Sequence, residues 1–202
     1  MKKMSVLDRI LLLLTGLLAA YQIVVGIGEG LSTVAVWAYT IAFGVLLVAG
    51  LLLIIMGFEV LESPLVVIVS TIIPLSLSLG LVWEYLPAWR TPYLIFVIVG
   101  FLAVAITRYA APKKVATFTL MPVHGIAGLV IFILPIVMSL RGDMPAGFAL
   151  VGVGGALIGV GGMLLAFLKA GKPILPQNTI LTVLPALLLL MTAAFVAGFS
   201  FA

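Results

Sequence analysis

Residues 31–57 read LSTVAVWAYTIAFGVLLVAGLLLIIMG and contain no charged side chain. A transmembrane α-helix needs about 20 consecutive apolar residues to cross the hydrocarbon core of a bilayer. Within this stretch, residues 45–55 are apolar on every side of a helix, whereas the strands of a membrane barrel alternate apolar and polar side chains over about ten residues. The sequence therefore predicts an all-α integral membrane protein.

The composition of the whole chain also requires lipid as its solvent. Of the 202 residues, 65% are hydrophobic and 8% are charged, whereas about 25% are charged in a typical soluble protein. The net charge of +4 comes from basic residues placed between the apolar stretches, so we expect no binding to nucleic acid. The chain has no cysteine, which excludes disulfides, thiol nucleophiles and cysteine-ligated metal sites.

Charged residues divide the chain into seven apolar stretches, because a charge at the centre of a bilayer costs at least a few kcal/mol. The first stretch follows Lys2 and Lys3, as the apolar part of a signal peptide would. It lacks a small-x-small cleavage site near Ala20, so we interpret it as a span. We predict a single transmembrane domain over residues 1–202, with spans at approximately residues 10–28, 31–57, 63–83, 91–107, 116–140, 146–168 and 178–200.

The distribution of lysine and arginine predicts the orientation of these spans. If the N-terminus lies in the cytoplasm, only Arg90 and Arg141 fall on the outer side. We therefore expect a cytoplasmic N-terminus, an external C-terminus and a location in a prokaryotic plasma membrane. The cytoplasmic side then carries eight basic residues: Lys2, Lys3, Arg9, Arg108, Lys113, Lys114, Lys169 and Lys172.

A Thr-x-x-Pro pattern in the third, fifth and seventh spans suggests an internal repeat. Its three copies are residues 71–74, 119–122 and 182–185. A proline in a helix leaves the carbonyl four residues before it without a donor, and we expect the threonine hydroxyl to help satisfy that carbonyl. The repeat predicts one leading helix followed by three helical hairpins, 2–3, 4–5 and 6–7. Chance recurrence of two common residues is the alternative.

His124 is the only histidine of the chain and lies deep in the fifth span. Imidazole is a common ligand of haem iron, and the neighbouring Gly125 and Gly128 would let a flat macrocycle approach the helix backbone. These three residues therefore form a candidate site for a haem or a chlorophyll-type macrocycle. The alternative is a structural histidine, hydrogen-bonded to a serine, a threonine or a carbonyl freed by proline.

The sixth span carries a stripe of small residues: Gly152, Gly155, Gly159 and Gly162 follow one another at spacings of three, four and three. Such spacing lets two membrane helices approach closely. The stripe predicts packing against a helix of this chain, a partner subunit or a planar lipid such as a quinone. Because Gly161 lies off the stripe, we expect Gly159→Leu to be more disruptive than Gly161→Leu.

The sequence carries little chemistry from which an activity could be predicted. No span has an acidic or basic residue near its midpoint, which argues against proton-coupled transport, and no HExxH or GxSxG motif occurs. We therefore expect a protein that is not an enzyme but a subunit of a larger membrane complex, electron-transferring or light-harvesting. It would pack against lipid and against other membrane subunits or copies of itself, and would hold a pigment, a haem or a quinone.

The alternative function is a small transporter or channel for an uncharged solute, built from the hairpin repeat. In that case Pro74, Pro122 and Pro185 would act as hinges. The path would be lined by the hydroxyl residues Ser70, Thr71, Ser76, Ser78, Thr119 and Thr182.

Overall fold

The computed structural model describes residues 2–28, 30–169 and 171–202, apart from the side chain of Lys113. These residues form helices and connecting turns, with no strand among them. All seven long helices are long and apolar enough to cross a membrane, as the sequence predicted. They are α1 Val6–Val25, α2 Thr33–Met56, α3 Pro64–Tyr85, α4 Arg90–Ala110, α5 Lys113–Arg141, α6 Ala149–Lys169 and α7 Gln177–Phe199. Short 3₁₀ helices at Gly57–Glu62, Pro87–Trp89 and Ala146–Phe148 precede α3, α4 and α6.

The first helix begins earlier than predicted, at Val6 rather than near residue 10. Ser5 accepts a hydrogen bond from the backbone N–H of Asp8, and the Asp8 carboxylate accepts one from the backbone N–H of Ser5. This reciprocal pair is a capping box, which satisfies N–H groups that have no partner in the first turn of a helix. Lys2 lies 3.0 Å from the same carboxylate. The charged residue Asp8, which the sequence places before the first span, is thus part of the first turn of α1.

Successive helices run in opposite directions, so the bundle has two ends. The N-terminal face carries the start of α1 and the connections α2–α3, α4–α5 and α6–α7, and the C-terminal face carries the other three connections and the end of α7. At the C-terminal face the Glu84 carboxylate accepts hydrogen bonds from the backbone N–H and the hydroxyl of Ser32, at 3.1 and 2.8 Å. That contact joins the start of α2 to the end of α3.

Six of the helices form a closed ring, in the order α1, α2, α3, α5, α6 and α7, and α7 returns to pack on α1. The remaining helix, α4, lies outside the ring against α3 and α5. The predicted pairs 2–3, 4–5 and 6–7 are all neighbours. However, α5 packs more extensively on α6 than on α4, so the bundle is not built from three separate hairpins.

Aromatic side chains fill the ring toward the C-terminal face. The ring of Phe199 lies 4.7 Å from that of Tyr39, 6.2 Å from that of Phe43 and 6.4 Å from that of Phe148, measured between centroids. All four side chains are buried. Gly80 makes this packing possible, because the Tyr39 ring occupies the position that a Cβ at Gly80 would need. Aromatic burial of this kind contributes strongly to core stability.

Two smaller apolar clusters complete the packing. One holds α4 on the ring through Leu75, Val104, Val123 and Ala127. The other closes the N-terminal half between α1, α2, the first 3₁₀ helix and α7, through Leu12, Leu53, Phe58, Val60, Leu181 and Leu184.

The hydroxyls of the Thr-x-x-Pro pattern do not bond to the carbonyls that the prolines free. Thr71 donates to the carbonyl of Val67 at 2.7 Å, and Thr119 and Thr182 donate in the same way to the carbonyls four residues before them. Thr15 and Thr192, which belong to no such pattern, make the same bond. The prediction that these threonines satisfy the carbonyls freed by proline is therefore wrong. Each threonine instead donates to the carbonyl four residues before itself, a bond that is common for threonines in helices.

Candidate functional site

Helices α5 and α6 touch through their backbones in the half of the bundle near the C-terminal face. A Cβ on Gly152 would lie 2.6 Å from the carbonyl oxygen of Phe132, and one on Gly155 would lie 2.8 Å from the carbonyl carbon of Ile131. Contacts this close are possible only without a side chain. Two residues of the predicted glycine stripe thus lie in an interface within the chain.

The glycines of the same two helices that lie nearer the N-terminal face make no such contact. Nothing lies within 4 Å of the position that a Cβ would take at Gly159 or Gly162 of α6, and the same holds at Gly125 and Gly128 of α5. In an antiparallel pair, the contact of Gly155 with Ile131 places Gly159 at the height of Gly128, and Gly162 at the height of Gly125. We call the gap between these four glycines the α5–α6 cleft.

His124 belongs to the wall of this cleft. Residues 124, 128 and 131 are spaced i, i+4 and i+7, so they share one face of α5, and Ile131 on that face touches Gly155 of α6. The His124 side chain is half-buried, and its Nδ1 atom is buried without a hydrogen-bond partner among the residues that the structure describes. No serine, threonine or carbonyl of the described residues bonds to Nδ1, so at this atom nothing supports the interpretation of His124 as a structural hydrogen-bonding residue.

One basic side chain of α4 reaches the neighbourhood of His124. The Arg108 guanidinium is close enough to His124 to interact with it electrostatically, and the Nε atom of Arg108 is also buried without a partner in the described part of the chain. An unpaired buried polar atom is costly. Both residues therefore stand at a place where a further polar or ionic group would be stabilising.

For Gly159 and Gly161 these contacts favour the opposite order of sensitivity from the one expected, whereas Gly155 remains tightly packed. Gly161 is buried, and a Cβ there would lie 2.9 Å from the Leu187 side chain of α7, whereas Gly159 faces open space. Within the isolated chain, a side chain added at Gly161 would therefore clash with Leu187, whereas one added at Gly159 would clash with nothing. The single stripe of the sequence is thus two surfaces, one packed and one open.

The hydroxyl residues of the suggested solute path have different surroundings. Thr71 and Ser78 are fully buried, and their hydroxyls donate to carbonyls of their own helix. Thr182 is exposed on α7. Two cavities of about 20 and 180 Å³ occur among the described residues, and none of the six suggested residues lines either of them.

Sequence reasoning identified both groups of glycines but did not connect them. The connection between α5 and α6 is short, and Gly128 and Gly159 lie equally far on either side of its centre near residues 143 and 144. Counting outward from that turn would have placed the two groups opposite each other.

Potential metal ligands are sparse in the chain. Among the described residues no three His, Cys, Asp or Glu side chains come together. A comparison with models of protein families, with curated proteins and with solved structures finds no match for this chain.

Proposed function

We propose that the protein is a non-catalytic integral membrane subunit of a larger complex, and that the α5–α6 cleft binds a flat, apolar ring system. The classes that fit are a haem, a chlorophyll-type macrocycle and a quinone. The observation that carries the proposal is the open cleft between Gly125, Gly128, Gly159 and Gly162, with His124 on its wall.

The four glycines of the cleft are energetically costly unless something packs against them. A glycine in a helix is less favourable than alanine by about 1 kcal/mol, and in a membrane this cost is offset when the small residue allows close van der Waals contact. Gly152 and Gly155 gain such contact from α5. The four cleft glycines gain none from the chain itself, and a flat ligand lying between the two helices would supply it to all four.

His124 gives the cleft a group that can recognise such a ligand. A neutral imidazole offers a nitrogen lone pair to a metal and an N–H to a carbonyl oxygen. The first suits the iron or magnesium of a macrocycle, and the second suits a quinone carbonyl. Intramembrane histidines commonly mark functional sites.

The proposal includes the orientation of the protein in a prokaryotic plasma membrane. Eight of the ten basic residues belong to the N-terminal face of the bundle, and basic residues accumulate on the cytoplasmic side of membrane proteins. The N-terminal face is therefore assigned to the cytoplasm.

Purification from the native membrane in mild detergent tests the binding proposal. We expect a preparation that absorbs visible or near-ultraviolet light beyond the protein band, with partner subunits in a fixed ratio. His124→Leu and Gly128→Leu should both abolish the absorption, the first by removing the ligating group and the second by filling the cleft. Ile126→Leu is the matched control, because Ile126 is exposed on another side of α5.

A different outcome would favour the transport function. A stable monomer or homodimer that carries no absorbing group and no partner contradicts the proposal. Retention of the absorbing group in both His124→Leu and Gly128→Leu would contradict the assignment to this cleft.

A further inference from the structure

A second opening lies on the N-terminal face, and none of the residues named for the α5–α6 cleft lines it. It is a groove of about 180 Å³ between the 3₁₀ helix Gly57–Glu62, the end of α6 and the start of α7. We call it the α6–α7 groove. Its lining is apolar at Phe58, Leu61, Leu165, Leu168 and Leu181 and polar at Glu62, Lys169 and Gln177.

The groove lies at the depth of lipid headgroups. Helix α6 has 21 residues, which corresponds to a length of about 31 Å at 1.5 Å per residue. The hydrocarbon core of a bilayer is about 30 Å thick. Lys169, the last residue of α6, therefore lies where hydrocarbon gives way to headgroups, and the leucines before it lie within reach of acyl chains.

The charges around the groove leave a positive excess. Lys169 makes no ion pair with any residue that the structure describes. The one ion pair among those residues joins Lys2 and Asp8. The Arg108 guanidinium repels the Lys169 ammonium and the Glu62 carboxylate attracts it. Lys169 and Glu62 line the groove and their charges cancel, and Arg108, which lies outside the lining, adds one positive charge near Lys169. One phosphate diester would balance that excess.

The volume of the groove indicates how much of a ligand it can hold. Pockets for whole small-molecule ligands measure about 300–1,000 Å³, so this one is too small to enclose such a molecule. It suits part of a molecule whose remainder stays in the bilayer. Basic pockets between transmembrane helices are known to bind the headgroups of anionic lipids.

We propose that the α6–α7 groove binds an anionic phospholipid. The phosphate lies at Lys169, with Gln177 as a further hydrogen-bond donor, and the beginning of an acyl chain lies against Phe58, Leu165 and Leu181. The Glu62 carboxylate lies at the same mouth and disfavours a headgroup with more than one negative charge. This inference does not depend on a ligand in the α5–α6 cleft.

Lipid binding to the full-length protein in neutral detergent tests the inference. Phosphatidylglycerol is titrated in mixed micelles, and native mass spectrometry counts the bound lipid while the lipid-dependent rise in Tm is recorded. A basic residue near an anionic headgroup contributes about 1 kcal/mol, so Lys169→Gln should weaken binding about fivefold. Leu168→Phe, which narrows the groove without changing its charge, should also weaken it.

Matched controls separate this site from general attraction to a basic face. Lys172→Gln removes an exposed charge three residues away, outside the lining of the groove, and should change the affinity by less than about twofold because solvated charges are screened. An equal loss in Lys169→Gln and Lys172→Gln would overturn the site. Equal binding of phosphatidylcholine or phosphatidylethanolamine would overturn recognition of the net charge, and displacement of the lipid by inorganic phosphate would show a site for a free anion.

Discussion

Adding one methyl group at two positions of α6 separates packed from open glycines. Gly155→Ala places a Cβ 2.8 Å from the carbonyl carbon of Ile131 and from the backbone nitrogen of Phe132, whereas Gly159→Ala places one where nothing lies within 4 Å. Carbon atoms rest at about 3.5–4.0 Å from each other, so α5 would have to move by about 0.7 Å at Gly155. The obstacle there is backbone, which cannot rotate aside as a side chain can.

The expected difference in stability follows from these distances. Both substitutions gain up to about 1 kcal/mol from the better helix propensity of alanine, and this gain cancels when the two variants are compared. Overpacking costs about 1–3 kcal/mol, so Gly155→Ala should be less stable than Gly159→Ala by that amount. Gly161→Ala should fall between them, because the end of the flexible Leu187 side chain is the group that must move.

The assay is reversible unfolding of the purified chain in mixed micelles with increasing sodium dodecyl sulfate, followed by circular dichroism. The free energy of unfolding should decrease in the order Gly159→Ala, Gly161→Ala, Gly155→Ala. If Gly159→Ala destabilised the isolated chain as much as Gly155→Ala, the two helices would be in contact along their whole length, and the α5–α6 cleft would not exist.

Two further predictions concern a buried hydroxyl and the orientation. The Tyr39 hydroxyl is buried without a partner among the described residues, so Tyr39→Phe should raise the free energy of unfolding by about 1 kcal/mol; a loss of stability would reveal a bound water or other partner. The chain has no cysteine, so Lys114→Cys and Ala202→Cys each give a single labelling site for a membrane-impermeant thiol reagent, applied to intact cells to reach the outside and to inverted membrane vesicles to reach the cytoplasmic side. We expect labelling from the cytoplasmic side at 114 and from outside at 202. Labelling of both from one side would contradict seven spans, and the reverse pattern would contradict the assigned orientation.

The helices themselves could be predicted from the sequence, because apolar length and charge depend on consecutive residues. The seven predicted spans and the seven helices differ by a few residues at their ends. The largest difference is at the start of α1, where the predicted span begins after the charged residues Asp8 and Arg9, although the Asp8 carboxylate caps the helix. A Ser-x-x-Asp sequence before an apolar run was the signal that could have found it.

The neighbours of each helix could not be predicted in this way, because they depend on the fit between distant side chains. Gly154 accepts the ring of Phe195, and Gly198 lies against the backbone of Val151. Both contacts join α6 to α7, and neither follows from the spacing of glycines within one helix. The packing of α4 on the outside of the ring likewise includes such a fit, where Gly100 meets the side chain of Val123.

The glycines of the bundle divide into those that the chain fills and those that it leaves open. Near the C-terminal face, Gly80 and Gly154 each receive an aromatic ring, and Gly152 and Gly155 receive the backbone of α5. The low helix propensity of these glycines is offset, because each of them permits a close contact within the fold. The glycines of the α5–α6 cleft permit none, although they occur on helices of the same composition and at the same spacing. Lipid tails are as apolar as the side chains of the helices, so burying apolar surface does not by itself drive the helices together. Small residues are therefore favourable only where another surface packs closely against them. The proposed ligand of the α5–α6 cleft would supply that surface to the open glycines. The Nδ1 atom of His124, which has no partner among the described residues, would then contact an acceptor, a donor or a metal of that ligand.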